Sequence, residues 1–547
     1  MKRNLFLSAI TGAALLLLTA ACSNDDNTEP QQEPTQEVQF SFTNEDFGED
    51  ETPSRATSAA EAKPQTIDLG DCEAEITVES EPAVKKTRGA QTPATGHYTI
   101  RAYQGGVLKG EMSGTFSGGT FTPDASSRKS LKLTHGTYDF IAFNDDVIPS
   151  GNNLTVARDK AATAMIGTAN AENINQEPGQ QVTFTMKHVG ARLRTQFVCQ
   201  KHIPENITAT LEATAANVIP ASVAYNPATM AYTATNGAMA AISNNSPAST
   251  ETKYSYSDYG QKFSYTSSSD YHYFLPTTEG SKLKLTGISA GTVFWKTVPP
   301  FNVPQLNATL QMQAGKSYVV KIKLKPIYTY LMSNGDVGTF KETTFGGGTK
   351  TPIAVVIDKG RNMAIALNDA GNGASMSWTS TYNTQRVNTH NVTNMRDALI
   401  WSQTSGLDET WKSSFSTWNV TGEKVKGKNP NFPAFKAAAE YNPGVAYTGS
   451  PALQWYLPSF SDFKWVFSTL GFGDANAVQE TQDYNWYGML AMLSFTQVGG
   501  TKPNNMYWTS SECGNTNVGI VVLDGGSIHW AEQMKLGTRA VRPFVKY

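Results

Sequence analysis

Cys22 is the residue of this chain best placed for covalent chemistry. Lys2 and Arg3 make a positive start, Leu5 to Ala21 form an apolar run broken by Gly12, and small residues lead directly into the Cys22 thiol. The run is too short to span about 30 Å of hydrocarbon, and it ends in Ser23, Asn24, Asp25 and Asp26, so it reads as a secretory leader. Cutting before Cys22 would leave its amine and its thiol together at the new terminus. The plainer alternative is an unlipidated leader cut at an Ala-Xaa-Ala-like site.

Catalytic patterns are absent from the rest of the chain. The seven histidines, His97, His135, His188, His202, His272, His390 and His529, are scattered, with no His-Glu-Xaa-Xaa-His pair to hold zinc. No Gly-Xaa-Ser-Xaa-Gly elbow occurs. Ala314-Gly315-Lys316-Ser317 ends like a phosphate loop, yet it lacks the upstream glycine and leads into a strand pattern where a phosphate loop opens a helix. The segment Asn368 to Asn372 carries oxygen ligands of the kind calcium takes, although an exposed turn explains it as well. The expectation is a chain that is not an enzyme, with no cofactor and no metal.

Composition agrees. Of 547 residues 17% are charged, the formal net charge is −3, and loss of the leader, with Lys2 and Arg3 and no acid, makes it −5. No basic stripe appears, so no nucleic-acid partner is expected. Beyond Cys22 three cysteines remain, Cys72, Cys199 and Cys513, too few and too dispersed for a disulfide framework. Each is most simply a small buried hydrophobe, with a Cys72 to Cys199 bridge left open.

Residues 22–36 carry almost nothing apolar and read as a flexible tether. In EVQFSFT, residues 37–43, Val38, Phe40 and Phe42 alternate with polar residues and form one apolar strand face. Short strands with period-two patterning follow: EAEITVE at 73–79, HYTIRAY at 97–103, KSLKL at 129–133 and GTYDFIAFND at 136–145. A second set runs from QVTFTMKHVGARLRTQFV at 181–198 to LNATLQMQAGKSYVVKIKLKP at 306–326. Spacing of this kind predicts β-sandwiches, one over 37–180 and another over 181–327. Nine of the ten tryptophans follow residue 328, so 328–547 should be a differently built α+β domain. It should hold helices at PAFKAAAEY (433–441) and SFSDFKWVFSTLG (459–471), the latter capped by Ser459 or Ser461 and stopped at Gly471. A hairpin should turn at Asp524-Gly525-Gly526.

Several of these blocks resemble known families. Leu18-Thr19-Ala20-Ala21-Cys22 resembles a bacterial lipobox, which implies that Cys22 becomes the mature N-terminus and carries acyl chains such as palmitate on its thiol and amine, enough for lasting membrane anchorage, and the acidic residues after it resemble the surface-export tag of Bacteroidales lipoproteins. With LKLTHGTYDFIAFND, VTFTMKHVGARLR and AGKSYVVKIKLK, residues 1 to about 327 resemble the Bacteroidales fimbrillins, the type V pilin superfamily, whose subunits carry two transthyretin-like β-sandwiches in tandem. WYLPSFSDFKWVF (455–467), MYWTSSE (506–512) and RAVRPFVKY (539–547) resemble a C-type-lectin-like domain shared with formylglycine-generating-enzyme-like proteins. The calcium-site tripeptides of sugar-binding lectins are missing, and a lone Cys513 argues against formylglycine-type catalysis.

The fimbrillin resemblance implies a lipid-anchored precursor at the outer membrane, residues 1–21 being the signal peptide, that is cut by an arginine-specific protease. Cleavage frees the first strand, and a strand of another pilin subunit fills the vacated groove, a case of β-augmentation. Val38, Phe40 and Phe42 would be the exchanged side chains. Arg55 is the favoured cleavage point and Arg88 the other, each being otherwise a plain solvated arginine. Stalk pilins of this family end soon after the second sandwich, whereas this chain continues for about 220 residues. The resemblance therefore implies a surface-exposed pilus tip or accessory subunit that adheres through its C-terminal domain. The alternatives are an anchor or stalk pilin, or a non-polymerising surface lipoprotein. A glycan or a host or bacterial surface protein is the expected ligand, with Tyr484, Trp486, Tyr487, His529 and Trp530 as candidate contacts, because aromatic faces pack on sugars or enter partner pockets. Trp455, Trp465 and Trp508 are expected in the core.

Overall fold

The computed structural model describes residues 35–48, 64–80, 94–175, 179–249, 262–390, 392–400 and 405–547. The chain is mainly β: strands dominate, and the longest described helix, Gly488–Thr496, has nine residues. The described residues belong to two compact units, Met1–Phe42 with Thr95–Ala142 and Thr168–Phe184, and Thr43–Ala94 with Phe143–Gly167 and Thr185–Tyr547.

The first unit is built on one eight-stranded sheet, in the order Thr120–Pro123, Val107–Ser117, Gly96–Gln104, Gly136–Asn144, Met165–Ile174, Gln180–His188, Thr35–Asn44 and Leu131–Thr134. Period-two patterning explains the strands: Met112 and Phe116 are buried while their neighbours face out. Gly110 lies against Leu131, whose Cδ1 would be 2.5 Å from an added Cβ, so a glycine here lets the sheet fold back on itself. The tether expected to reach residue 36 ends earlier, since the first strand begins at Thr35 and Gln36 is buried.

In the second unit a sheet runs Tyr265–Ser268, Ala191–Cys199, Ser317–Pro326, Cys72–Ser80, Gln65–Asp68. It shares a core with the sheet Ile242–Ser243, Thr208–Ala213, Leu283–Ser289, Phe301–Val303. Ser317–Pro326 places Val320, Ile322 and Leu324 inside, while Lys321 pairs with Glu79 and both Lys323 and Lys325 with Glu75 on the outer face. The EAEITVE strand, expected in a sandwich over 37–180, instead pairs antiparallel with Ser317–Pro326. Sequence order fails here because the partner strand, which offers matched lysines to its glutamates, lies some 240 residues away. Residues 143–167 also lie in this unit, so neither unit keeps to the expected boundary at 180.

Residues 328–547 belong to the same compact unit. A sheet runs Val337–Thr339, Thr329–Met332, Pro352–Asp358, Met363–Ala366, Phe544–Lys546, Gln454–Tyr456, and a second runs Asp483–Asn485, Ser527–Met534, Asn517–Leu523, Met506–Cys513. Among the described residues one apolar cluster reaches from Leu69 to Phe544, across the expected boundary at 328. Phe294 packs on Phe472 at 5.0 Å, and Lys341 pairs with Glu73 at 2.8 Å. Tyr328 and Tyr330 donate hydroxyls to Leu490 O and Ser494 O of the buried helix Gly488–Thr496.

The expected helices form at Pro433–Ala439 and Phe463–Thr469, and the hairpin turns where Asp524 Oδ1 accepts from the Gly526 and Ser527 amides. The cap differs from expectation: Asp462 occupies the cap position and its carboxylate accepts from the Ser459 amide at 2.7 Å. No amphipathic stripe announces Gly488–Thr496, because it is buried on nearly every side.

Candidate functional site

Thr35–Asn44 lies between Gln180–His188 and Leu131–Thr134, and its apolar alternation is fully used. Val38, Phe40 and Phe42 are 4%, 5% and 1% exposed. Val38 stands opposite Leu131 in antiparallel register. The Phe40 ring contacts Phe121, Phe140 and Phe184 at 6.1–6.2 Å. Phe42 stacks on Tyr98 at 4.6 Å and also meets Phe116, Phe121 and Phe184. On the outer face Ser41 Oγ and Thr183 Oγ1 share a hydrogen bond of 2.7 Å. At roughly 1.5–3 kcal/mol per buried side chain, these three residues contribute on the order of 5–9 kcal/mol before ordering costs.

The strand's apolar side chains at alternate positions thus fill an aromatic-walled groove of the same unit. The apolar face of Val38, Phe40 and Phe42 was readable from the sequence. The five aromatic walls, Tyr98, Phe116, Phe121, Phe140 and Phe184, carried only the ordinary signal of alternating strands and were not distinguished as a set. Cys22, Arg55 and Arg88 lie outside the described residues.

The C-terminal aromatic candidates separate by burial. Trp486, Tyr487 and Trp530 are 1%, 6% and 0% exposed, which corrects the expectation that they contact a ligand. Trp486 donates its indole N–H to Asp524 O at 2.8 Å and packs where Gly471 leaves room for its ring. Trp530 donates to Phe460 O at 3.1 Å and meets Phe467 and Tyr484 edge to face. The Tyr487 ring faces the Lys201 ammonium at 5.2 Å. Only Tyr484 and His529 are partly open, and His529 Nδ1 lies 2.8 Å from the Asp483 carboxylate across a strand pair. Local polarity misled at the aromatic end alone: residues 479–483 and Asn485 are exposed, while tertiary contacts cover Trp486 and Tyr487. Trp455 and Trp508 are buried as expected, and Trp465 lies under the Arg361 guanidinium at 4.1 Å.

Three charge pairs inside this region had no sequence signal. Lys535 and Glu512 pair with both side chains fully buried, and Glu512 also accepts from the Val387 and Asn388 amides. Lys426 lies 3.0 Å from Glu409, both buried. The buried Arg542 guanidinium donates to Asp369 at 2.8 Å and to the carbonyls of Ala366, Leu367 and Thr501. Asp369, which lies in the segment with the calcium-like oxygen pattern, takes part in this ion pair. Burial lifts the Glu409 carboxyl to about 7 and the Asp462 carboxyl to about 6, and lifts Glu512 against the pull of Lys535. These groups lock loops together. Among the described residues no cluster of three or more His, Cys, Asp or Glu could hold a metal ion.

Cys72 and Cys199 are both free. Their strands are separated by Ser317–Pro326, so two spacings of about 4.8 Å place them beyond disulfide reach. No helix among the described residues is long and apolar enough to cross a membrane.

No family model and no curated protein matches this chain. Solved structures do. A candidate cell-adhesion protein of Bacteroides uniformis is 15% identical with a TM-score of 0.28, over 45% of this chain and 90% of its own. A fimbrial protein of Bacteroides ovatus is 10% identical with a TM-score of 0.23, over 94% and 100%. A fimbrial protein of Bacteroides vulgatus is 11% identical with a TM-score of 0.26, over 44% and 90%. TM-scores this far below 0.5 carry neither fold nor activity over to this chain.

Proposed function

We propose that this chain is a surface-exposed fimbrial subunit, made as a lipid-anchored precursor and placed at the tip or in an accessory position of a pilus. In this reading two fimbrillin-like sandwiches carry a C-type-lectin-like end that adheres to a glycan or a surface protein. The observation that carries it is the first strand, whose three alternate apolar side chains fill an aromatic slot and whose preceding sequence is a tether after Cys22. Cleavage at Arg55 or Arg88 would leave this strand held only by noncovalent contacts. A second chain's strand of the same pattern could then replace it by β-augmentation, because an empty slot would expose apolar walls and unpaired backbone.

A terminal position is supported by the far end of the chain. Ser317–Pro326 is paired on both edges, and the last strand, Phe544–Lys546, lies between Met363–Ala366 and Gln454–Tyr456 with Phe544 and Val545 fully buried. Neither strand can be donated without dismantling its sheet. In this reading the chain accepts a strand at its first sheet and donates neither of these two.

The experiment is digestion of the purified chain with an arginine-specific protease, followed by N-terminal mass analysis and size measurement with a partner pilin. The proposal requires a new terminus at Ala56 or Gly89 and growth of mixed polymers carrying this chain at one end. An intact chain, trimming without assembly, or label along the whole fibre would reject it.

A further inference from the structure

Trp418 is the most exposed large apolar residue among the described residues, at 87%, and it stands at the edge of a cleft of about 470 Å³. The other walls are Thr381, Tyr382, Thr384, Gln385, Asn419 and Thr421. We infer that this cleft is a binding site for a neutral saccharide, with the Trp418 indole as the platform on which a sugar ring stacks.

The chemistry of the walls selects that ligand. A sugar has an apolar C–H face and a rim of hydroxyls, and this cleft offers one open indole face beside hydroxyls and side-chain amides. No Lys, Arg, Asp or Glu lines it, so it makes no provision for an anionic or cationic ligand. No aliphatic side chain lines it either, so an apolar anchor from a protein would find the Trp418 and Tyr382 rings and no aliphatic patch around them.

The loop is built to hold Trp418 out. Lys424 turns its ammonium inward onto the carbonyls of Thr417, Trp418 and Val420, and the Ser416 hydroxyl donates to Lys424 O at 2.6 Å. Thr417 Oγ1 and Asn419 Nδ2 both donate to Arg386 O at 2.8 Å. The Thr421 amide donates to the Tyr382 hydroxyl at 2.9 Å, so the two walls are tied together. A fixed platform loses little conformational freedom on binding, which is how a small contact area reaches useful affinity. Among the described residues, the hydrogen bonds that hold this loop engage the Trp418 backbone carbonyl and leave its ring out.

This inference deepens the adhesive reading, on which it rests, by naming the ligand class and the site. The test uses the uncleaved full-length mature chain, so success or failure of strand exchange does not enter. The chain is applied to an array of immobilised neutral oligosaccharides, and cellotriose and chitotriose are titrated in solution. The expected result is binding to at least one neutral glycan, weakened about tenfold or more by Trp418→Ala, partly restored by Trp418→Phe and reduced by Gln385→Ala, with the melting temperature unchanged. No binding to any neutral glycan at millimolar concentration would overturn it. So would glycan binding that survives Trp418→Ala, or Trp418-dependent binding to a protein without any glycan response. Protease-triggered assembly that proceeds in the Trp418→Ala chain would separate loss of the ligand site from loss of the pilin reading.

Discussion

The Phe42 ring stacks on Tyr98 with centroids 4.6 Å apart and planes 11° from parallel. Phe42 is the most deeply buried of the three side chains that hold the first strand in its slot, and its removal leaves a ring-sized void among Tyr98, Phe116, Phe121 and Phe184. Phe42→Ala is therefore expected to cost about 3–5 kcal/mol in urea unfolding of the intact chain. A synthetic peptide with the sequence of residues 35–44 should bind the protease-treated chain, and the same peptide with alanine at the Phe42 position should not. Equal binding of the two would remove Phe42 from the slot.

The Glu409 carboxyl, lifted to about 7 by burial although Lys426 is 3.0 Å away, makes stability depend on pH. Between its ordinary value of 4.5 and about 7 the native state keeps a proton that the unfolded state has released. Its contribution is full below 4.5 and is lost as pH rises through 7, by about 1.4 kcal/mol per unit inside that window. Glu409→Gln should flatten this slope. Parallel denaturation series of both chains from pH 4.5 to 8 read the difference, and identical slopes would refute the assignment.

Lys535 is expected to be harder to replace than an exposed lysine. Its ammonium meets Glu512 and donates to Gln385 O and Asn515 O at 2.7 Å. Lys535→Met leaves a buried carboxylate without its cation, at a cost of about 3–5 kcal/mol. Adding Glu512→Gln should recover part of that loss, which a double-mutant cycle measures.

Arg542→Lys keeps the charge but loses the planar fork that reaches Asp369 and three backbone carbonyls at once. A loss of about 2–4 kcal/mol is expected, visible as a lower denaturant midpoint. A loss under about 0.5 kcal/mol would mean that water replaces those bonds.

The three thiols should be silent in the folded chain. Burial pushes Cys72, Cys199 and Cys513 up to about 12. A thiol reagent at pH 8 is expected to label none of them until denaturant is added, and all three afterwards. Rapid native labelling would contradict the burial of these groups.

The first strand was legible because Val38, Phe40 and Phe42 repeat every two residues, and local alternation alone fixes which face is apolar. The expectation of a leader before Cys22 rests on the same kind of local pattern, of charge, apolar run and small residues, and lies outside the described residues. The hairpin at Asp524 and the helix at Pro433–Ala439 likewise carry their turn and period within a few residues.

What the slot is lined with, and which strands share a sheet, depended on contacts between distant residues. Glu75 gives no sign in its own neighbourhood that it will meet Lys323 and Lys325 about 250 positions later. Trp486 and Trp418 sit in equally polar stretches, yet one is 1% and the other 87% exposed. Composition sets how much apolar surface must be hidden. Only the closing of sheets over one another decides which rings are covered, because burial is a property of everything packed around a residue and not of the residues beside it in the chain.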